Sequence, residues 1–219
     1  MLAVLCVGMF AVAAIGFALL VVGPRGIRGP TAPDPPPEAD YADVVSITIA
    51  LAAGATDALR TEEALATKGG DVAAIGARLV DALLAQKAHW QYAAALNGAP
   101  MPPREAAEAF LSALEHAKSR ALAAPEQPAS SAAFRGASDD ALVVATIVIV
   151  SRSEIPNLDG ARDARMLEAV LLAARAHERG KIAAARLVVS PSDPQRTWTA
   201  SDLQAVYPEL RRLDASTKD

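Results

Sequence analysis

Reactive side chains are scarce in this chain. Its one cysteine, Cys6, lies in an apolar N-terminal run, so no disulfide can close within the chain and no multi-cysteine metal site can form. The three histidines, His89, His116 and His177, fall far apart on separate expected elements, and none has the spacing of a metal motif. GxxxxGK(S/T), GxGxxG, HExxH and GxSxG are all missing. Those absences remove the phosphate-loop, dinucleotide, zinc-protease and hydrolase-elbow readings, and no cofactor or metal is expected. Aromatic residues are 4% of the chain against 52% hydrophobic, so the core must be built from small side chains. The net charge of −4 comes from 25 acidic and 21 basic residues that are well mixed, which leaves no basic face for nucleic acid.

The most apolar stretch that is present is Leu2–Val22, 21 residues without a charge. As a helix it spans about 31 Å, close to the roughly 30 Å of a bilayer's hydrocarbon core. A cleaved signal peptide is the competing reading. It lacks support, because the basic n-region is missing, the run is long, and no small-x-small site precedes Gly23. We therefore expect a single-pass anchor over residues 1–23 that meets membrane lipid through 2–22. Arg25 and Arg28 follow it directly, which by the positive-inside rule places the remainder on the cytoplasmic side. Ala14 and Ala18 form a small-xxx-small pair, so a homo-oligomer is possible through this segment. Residues 24–40 hold Pro24, Pro30, Pro33, Pro35, Pro36 and Pro37, the composition of an extended, semi-rigid linker.

A soluble domain is expected over 41–213, followed by a disordered tail over 214–219. Its organising stretch is Leu142–Val150, nearly all apolar and mostly β-branched, which reads as a strand covered on both faces. Val45–Leu51 alternates, with Ser46, Thr48 and Ala50 on the less apolar side, and reads as a half-covered strand. Thr56 is placed to cap a helix that Gly69-Gly70 ends. Asp71 caps a second helix, to about Lys87, whose Val72, Ile75, Leu79, Val80 and Leu83 share one face. Trp90–Ala94 supports two readings, a short edge strand before Asn97-Gly98 or a continuation of that helix. Pro103 opens a helix with Phe110, Leu111, Leu114 and Ala117 inward. Ala123–Ser138 reads as a mobile loop. A further helix covers about Ala161–Arg179, with Met166, Leu167, Val170, Leu171 and Ala174 inward and Gly180 just past its end. A strand over Ile182–Ser190 and a short helix from Ser201-Asp202 to Pro208 follow, with Trp198 and Tyr207 stapling that helix to the core. The fold class is α/β in the mixed, α+β sense: a small sheet of three to four strands covered by helices, with a C-terminal right-handed βαβ unit that makes 142–150 and 182–190 parallel.

Parallel strands put the loops at their C-terminal ends on one rim, where open α/β sheets take ligands. The residues on that rim are Ser151, Arg152, Ser153 and Glu154 after the first strand, and Ser190, Ser192 and Asp193 after the second. Ordinary polar loops explain the same residues. Glu62-Glu63 and Asp139-Asp140 are adjacent carboxylates, but neighbours on a helix diverge, and Asp139-Asp140 sits at the entering end of its strand. Arg211-Arg212 is a short solvated basic patch. No catalytic residue is assigned.

The order of several segments resembles a known family. They are Ala141–Val150, Leu167-Glu-Ala-Val-Leu171, Ala185-Arg-Leu-Val-Val-Ser-Pro191, Trp198-Thr-Ala-Ser-Asp-Leu203 and Tyr207-Pro-Glu-Leu210. The ordering is similar to a cyanobacterial and plastid family of membrane-anchored proteins known only as a domain of unknown function, number fifteen-seventeen. The resemblance implies one membrane anchor and a soluble α/β domain, and carries no activity and no catalytic residues. The expected function is a non-enzymatic protein-interaction or assembly module at a membrane surface, with a protein partner. The alternative is a small-molecule or enzymatic site on the loops after 142–150 and 182–190.

Overall fold

A computed structural model describes residues 41–123, 141–153, 155, 163–176 and 181–213. The apolar segment 2–22, the linker 24–40, all but Ala123 of the expected loop Ala123–Ser138, Asp139-Asp140, Glu154, Asp159-Gly160, His177, Gly180 and the tail 214–219 lie outside the described residues. No helix among the described residues is long and apolar enough to cross a membrane.

The elements run β1 (Asp43–Ala52), α1 (Thr56–Thr67), α2 (Val72–Ala85), β2 (Trp90–Asn97), α3 (Pro103–Leu122), β3 (Leu142–Ser151), α4 (Ala164–Ala176), β4 (Ile182–Ser190), α5 (Ala200–Val206) and β5 (Arg211–Arg212). The five strands form one sheet in the order β4-β3-β1-β2-β5. Of the two readings for Trp90–Ala94, the strand is correct. It pairs with β1 from Val45↔Asn97 to Leu51↔Trp90 and buries Trp90 and Ala93.

Every pairing is antiparallel, including β3 with β4 from Val144↔Ser190 to Ser151↔Ile182. This corrects the expected parallel βαβ unit. The Arg152 amide donates to the Lys181 carbonyl at 2.7 Å, so the two strands close like a hairpin at one end. Ser151 and Ile182, between which α4 falls in sequence, thus lie together at that end. A parallel crossover needs its helix to travel back along the sheet to the strand's starting end. Here α4 instead packs beside α2, tied by Arg175 Nε–Asp81 Oδ1 and Lys87 Nζ–Glu168 Oε2, each 2.6 Å.

Odd positions of β1 and β3 face one layer and even positions the other. Val45, Ile47, Ile49, Val143, Ile147 and Ile149 meet Leu59 of α1, Leu79 and Leu83 of α2 and Leu171 of α4 in the main core. Gly76 lets α2 approach β4 closely: a Cβ there meets the Ile182 Cδ1 at 3.2 Å. The second face carries α3, through Ala106, Phe110 and Ala117, and the Trp198–Leu210 segment. Leu111 and Met166, expected inward, are 48% and 46% exposed. Each lies one residue from a buried neighbour, and the buried stripe is narrower than the apolar pattern. Gly69, with φ +84°, ends α1 as its sequence indicates. Asp71 caps α2 by accepting from the Ala73 amide. Thr56 does not cap: its hydroxyl donates to the Ala53 carbonyl at 2.6 Å, and the cap position is Ala55.

Polar side chains of α1 cover part of the outer edge of β4. Glu63 Oε1 accepts from the Val189 amide at 3.1 Å, and Arg60 donates to the Pro191 and Ser192 carbonyls. Burial raises the Glu63 carboxyl above its ordinary 4.5, outweighing the Val189 amide, Arg60 and Lys118, which lower it. A raised carboxyl stabilises the fold fully below its unfolded value and loses that contribution as pH rises through the folded value. Glu63→Gln keeps the acceptor and drops the charge. Urea midpoints of variant and wild type should nearly coincide below about pH 4, with the variant higher at about pH 7. A lower midpoint for the variant at the upper pH contradicts the dominance of burial.

Candidate functional site

The two loops of the expected rim do not meet. Because β3 and β4 are antiparallel, Ser151–Ser153 lies at one end of the sheet and Ser190–Asp193 at the other. The eight-residue register between Ile182 and Ser190 separates them by about 26 Å. Each has local work. Ser151 is fully buried, and its Oγ accepts from the Ser153 amide at 3.1 Å. Arg152 continues the β3–β4 ladder through its amide. The Ser192 amide donates to the Ala121 carbonyl at 3.0 Å, and Asp193 accepts from the Gln195 amide and pairs with Arg196. Ser190, 2% exposed, accepts from Trp198 Nε1 at 3.1 Å and is hydrogen-bonded to Tyr207.

A concavity lies elsewhere, on the second face. There α3 covers β3 and β4, and the Trp198–Leu210 segment covers the far end of β1, but the β1–β2 half between them is open. The result is a groove of about 570 Å³, within the range of small-ligand sites. Its floor is the less apolar side of β1, Val44, Ser46 and Thr48, with Thr146 of β3. Leu96 and Met101 wall one side, and Ala109, Ala113 and Ala117 of α3 the other.

The groove is graded along its length. Met101 pairs with Ala42 at the start of β1, and Ala121 of α3 meets the loop after β4, so α3 runs beside β1 in the same direction. At the first end stand Val44, Gly98, Met101 and Leu96, the last 63% exposed. At the second end the Thr48 and Thr146 hydroxyls share a hydrogen bond of 3.2 Å. Arg120 closes that end. It is ion-paired to Glu209, with Nη2 to Oε2 at 3.3 Å, and lies 4.9 Å from the Tyr207 ring centroid. Tyr207 stands edge-on to Trp198, with ring centroids 5.8 Å apart at 87°. Burial pushes the Tyr207 phenol above its ordinary 10, outweighing the lowering by Ser190 and Arg120, so it stays protonated at neutral pH. His116 lies one helical turn before Arg120 on the same wall.

No group of three or more His, Cys, Asp or Glu converges on a metal position among the described residues. Of the adjacent carboxylates, Glu62 pairs with Arg78 Nε at 2.7 Å and Glu63 holds the edge of β4, while Asp139-Asp140 lies outside the described residues. Sequence reasoning placed Ser46 and Thr48 on the half-covered side of their strand but drew no site from them. The missed signal was Thr146, the one polar residue inside an otherwise apolar run.

Fold and groove together define a class: a single antiparallel sheet with helices on both faces, one face covered only in part, leaving a slot suited to binding. The chain belongs to the family described as Protein of unknown function (DUF1517), whose model matches residues 41–213. No curated protein and no solved structure matches it.

Proposed function

We propose that this domain is a non-enzymatic binding module, tethered to a membrane surface by residues 2–22, that takes an apolar-bodied ligand into the groove between α3 and the β1–β2 half of the sheet. The observation that carries the reading is the groove: about 570 Å³ with largely apolar walls, Ser46 and Ser112 along its length, and its charged groups, Arg120 and Glu209, at one end. The tether rests on the uncharged run itself, whose length fits a bilayer.

A second reading keeps the location and changes the occupant to an extended segment of a partner protein. It is favoured by the outer edge of β2. The Leu213 amide donates to Gln91, and Arg211 pairs with Ala93, so alternate residues of β2 point their backbone groups toward β5. β5 is two residues long, and the next such position, Ala95, lies past its end beside exposed Leu96. An added strand can pair there.

The full chain and an Ala113→Trp variant, whose indole fills the groove, separate these readings. Both are extracted in detergent, and bound small molecules and crosslinked peptides are identified by mass spectrometry. Small molecules retained by wild type and lost from the variant support the first reading. A crosslinked peptide mapped to Ala95–Asn97 in both proteins supports the second. Equal small-molecule content in both proteins overturns the first. Release of the full chain from vesicles by an alkaline wash overturns the tether.

A further inference from the structure

We infer that the groove ligand is a single-chain amphiphile, an acyl chain with a head that accepts hydrogen bonds, held with its head at Arg120 and its tail toward Met101. This deepens the groove reading and rests on it. The grading along the groove is the first ground. From Ala109 to Arg120 the α3 wall is about 16 Å long and changes from small side chains, Ala109, Ser112 and Ala113, to His116 and the charged Arg120. On the floor the same direction runs from Val44 to Thr48, about 13 Å, and ends at the Thr48–Thr146 pair. A ligand polar all along leaves Val44, Met101 and Ala109 facing polar atoms, and a purely apolar one strands the hydroxyls and Arg120.

Donors at the polar end set the head chemistry. Two hydroxyls that bond to each other use one hydrogen and keep one, and Thr48 and Thr146 remain 7% and 6% exposed toward the slot. The Arg120 guanidinium carries five N–H donors, of which the Glu209 pair engages two nitrogens. An acyl carbonyl or carboxylate meets this set as an acceptor. The second ground is where the chain enters. Tyr41, the exposed first residue of the described domain, stands next to the Ala42–Met101 bridge, so the chain enters the domain beside the apolar mouth.

The test uses the full chain in lipid nanodiscs and two photoreactive long-chain fatty acids, one with its diazirine beside the carboxyl group and one with it at the tail. The head-end probe should label the His116–Arg120 turn or Tyr207, and the tail-end probe Leu96 or Met101. Unlabelled fatty acid competes if the ligand is a free acid, and unlabelled monoacylglycerol if it is an ester. Thr48→Val with Thr146→Val should weaken labelling by the head-end probe about fivefold, the loss of one hydrogen bond. Ala113→Trp should abolish labelling by both. Ser112→Trp serves as a second groove-filling variant should Ala113→Trp fail to fold. Labelling that requires an open groove but has head and tail exchanged or scrambled overturns this inference and leaves the groove reading intact. Labelling confined to residues 2–22 overturns both.

Discussion

Trp198→Ala should remove about 3–5 kcal/mol of unfolding free energy, the range for deleting a buried aromatic side chain. The ring is fully buried and heads the largest enclosed side chains of the domain. Its loss does three things at once. It opens a cavity between the start of β3 and α5, where Leu142, Val144, Leu203 and Leu210 converge. It removes the edge-on partner of Tyr207. It also takes the Nε1 donor from Ser190, whose Oγ is buried. The backbone depends on the same residue, since Trp198 and Leu142 exchange amide bonds of 2.8 and 2.9 Å that fix the segment across the start of β3. Urea unfolding followed by far-ultraviolet circular dichroism measures the effect. Trp198→Phe separates packing from the hydrogen bond, because it keeps a ring and loses the donor, and should cost less than half as much. A loss below about 1 kcal/mol for the alanine variant means that the segment is not held by this side chain.

That segment also bears on the groove. Tyr207 is packed by Trp198 on one side and carries Arg120 on the other, so the cation closing the polar end is positioned through a buried aromatic pair. Glu209, two residues on, fixes the same guanidinium. In the Trp198 variants, selectivity for the head group should weaken before the groove itself is lost, because its walls come from β1, β2 and α3.

Much of the fold was legible because burial imposes a period. β1, β3 and β4 were readable from their β-branched runs, α2 from its apolar stripe and Asp71 cap, and the Trp198–Tyr207 staple from the rarity of large aromatics in this chain. Strand direction was not legible. A strand, a helix and a strand have the same apolar periods whether the helix crosses the sheet or loops out from one end. What decides it here is contact between α4 and α2, together with the Arg152–Lys181 bond, and both are long-range. The groove was missed for that reason. Reading parallel strands moved attention to Ser151–Glu154 and Ser190–Asp193, but the antiparallel ladder sends Ser151–Ser153 and Ser190–Asp193 to opposite ends. The residues that do assemble, Ser46, Thr48, Thr146, Arg120 and Glu209, come from distant parts of the sequence. Each taken alone has a bland explanation.

The partial cover of the second face makes the main core bear most of the stability, and Ile147→Ala is the sharpest probe of that division. Ile147 lies fully buried at the centre of the sheet, paired with Ile47 of β1 and Leu187 of β4, so three apolar side chains form one row under α1 and α2. Replacing it leaves a void that a central strand, held by ladders on both sides, cannot collapse to fill. The expected cost is about 2–5 kcal/mol, against a total of about 5–15 kcal/mol for a domain of ordinary stability. Its neighbour Thr146 projects to the opposite face, where its hydroxyl bonds to Thr48. Replacing both threonines by valine should therefore be close to neutral, since a pair of bonded polar groups gives way to apolar groups of the same shape. Adjacent positions on one strand thus differ by several kcal/mol because one face is filled and the other borders a slot. If Ile147→Ala and the double valine variant show similar urea midpoints, the two faces share the load equally, and the groove is then a part of the core rather than a place held open for a ligand.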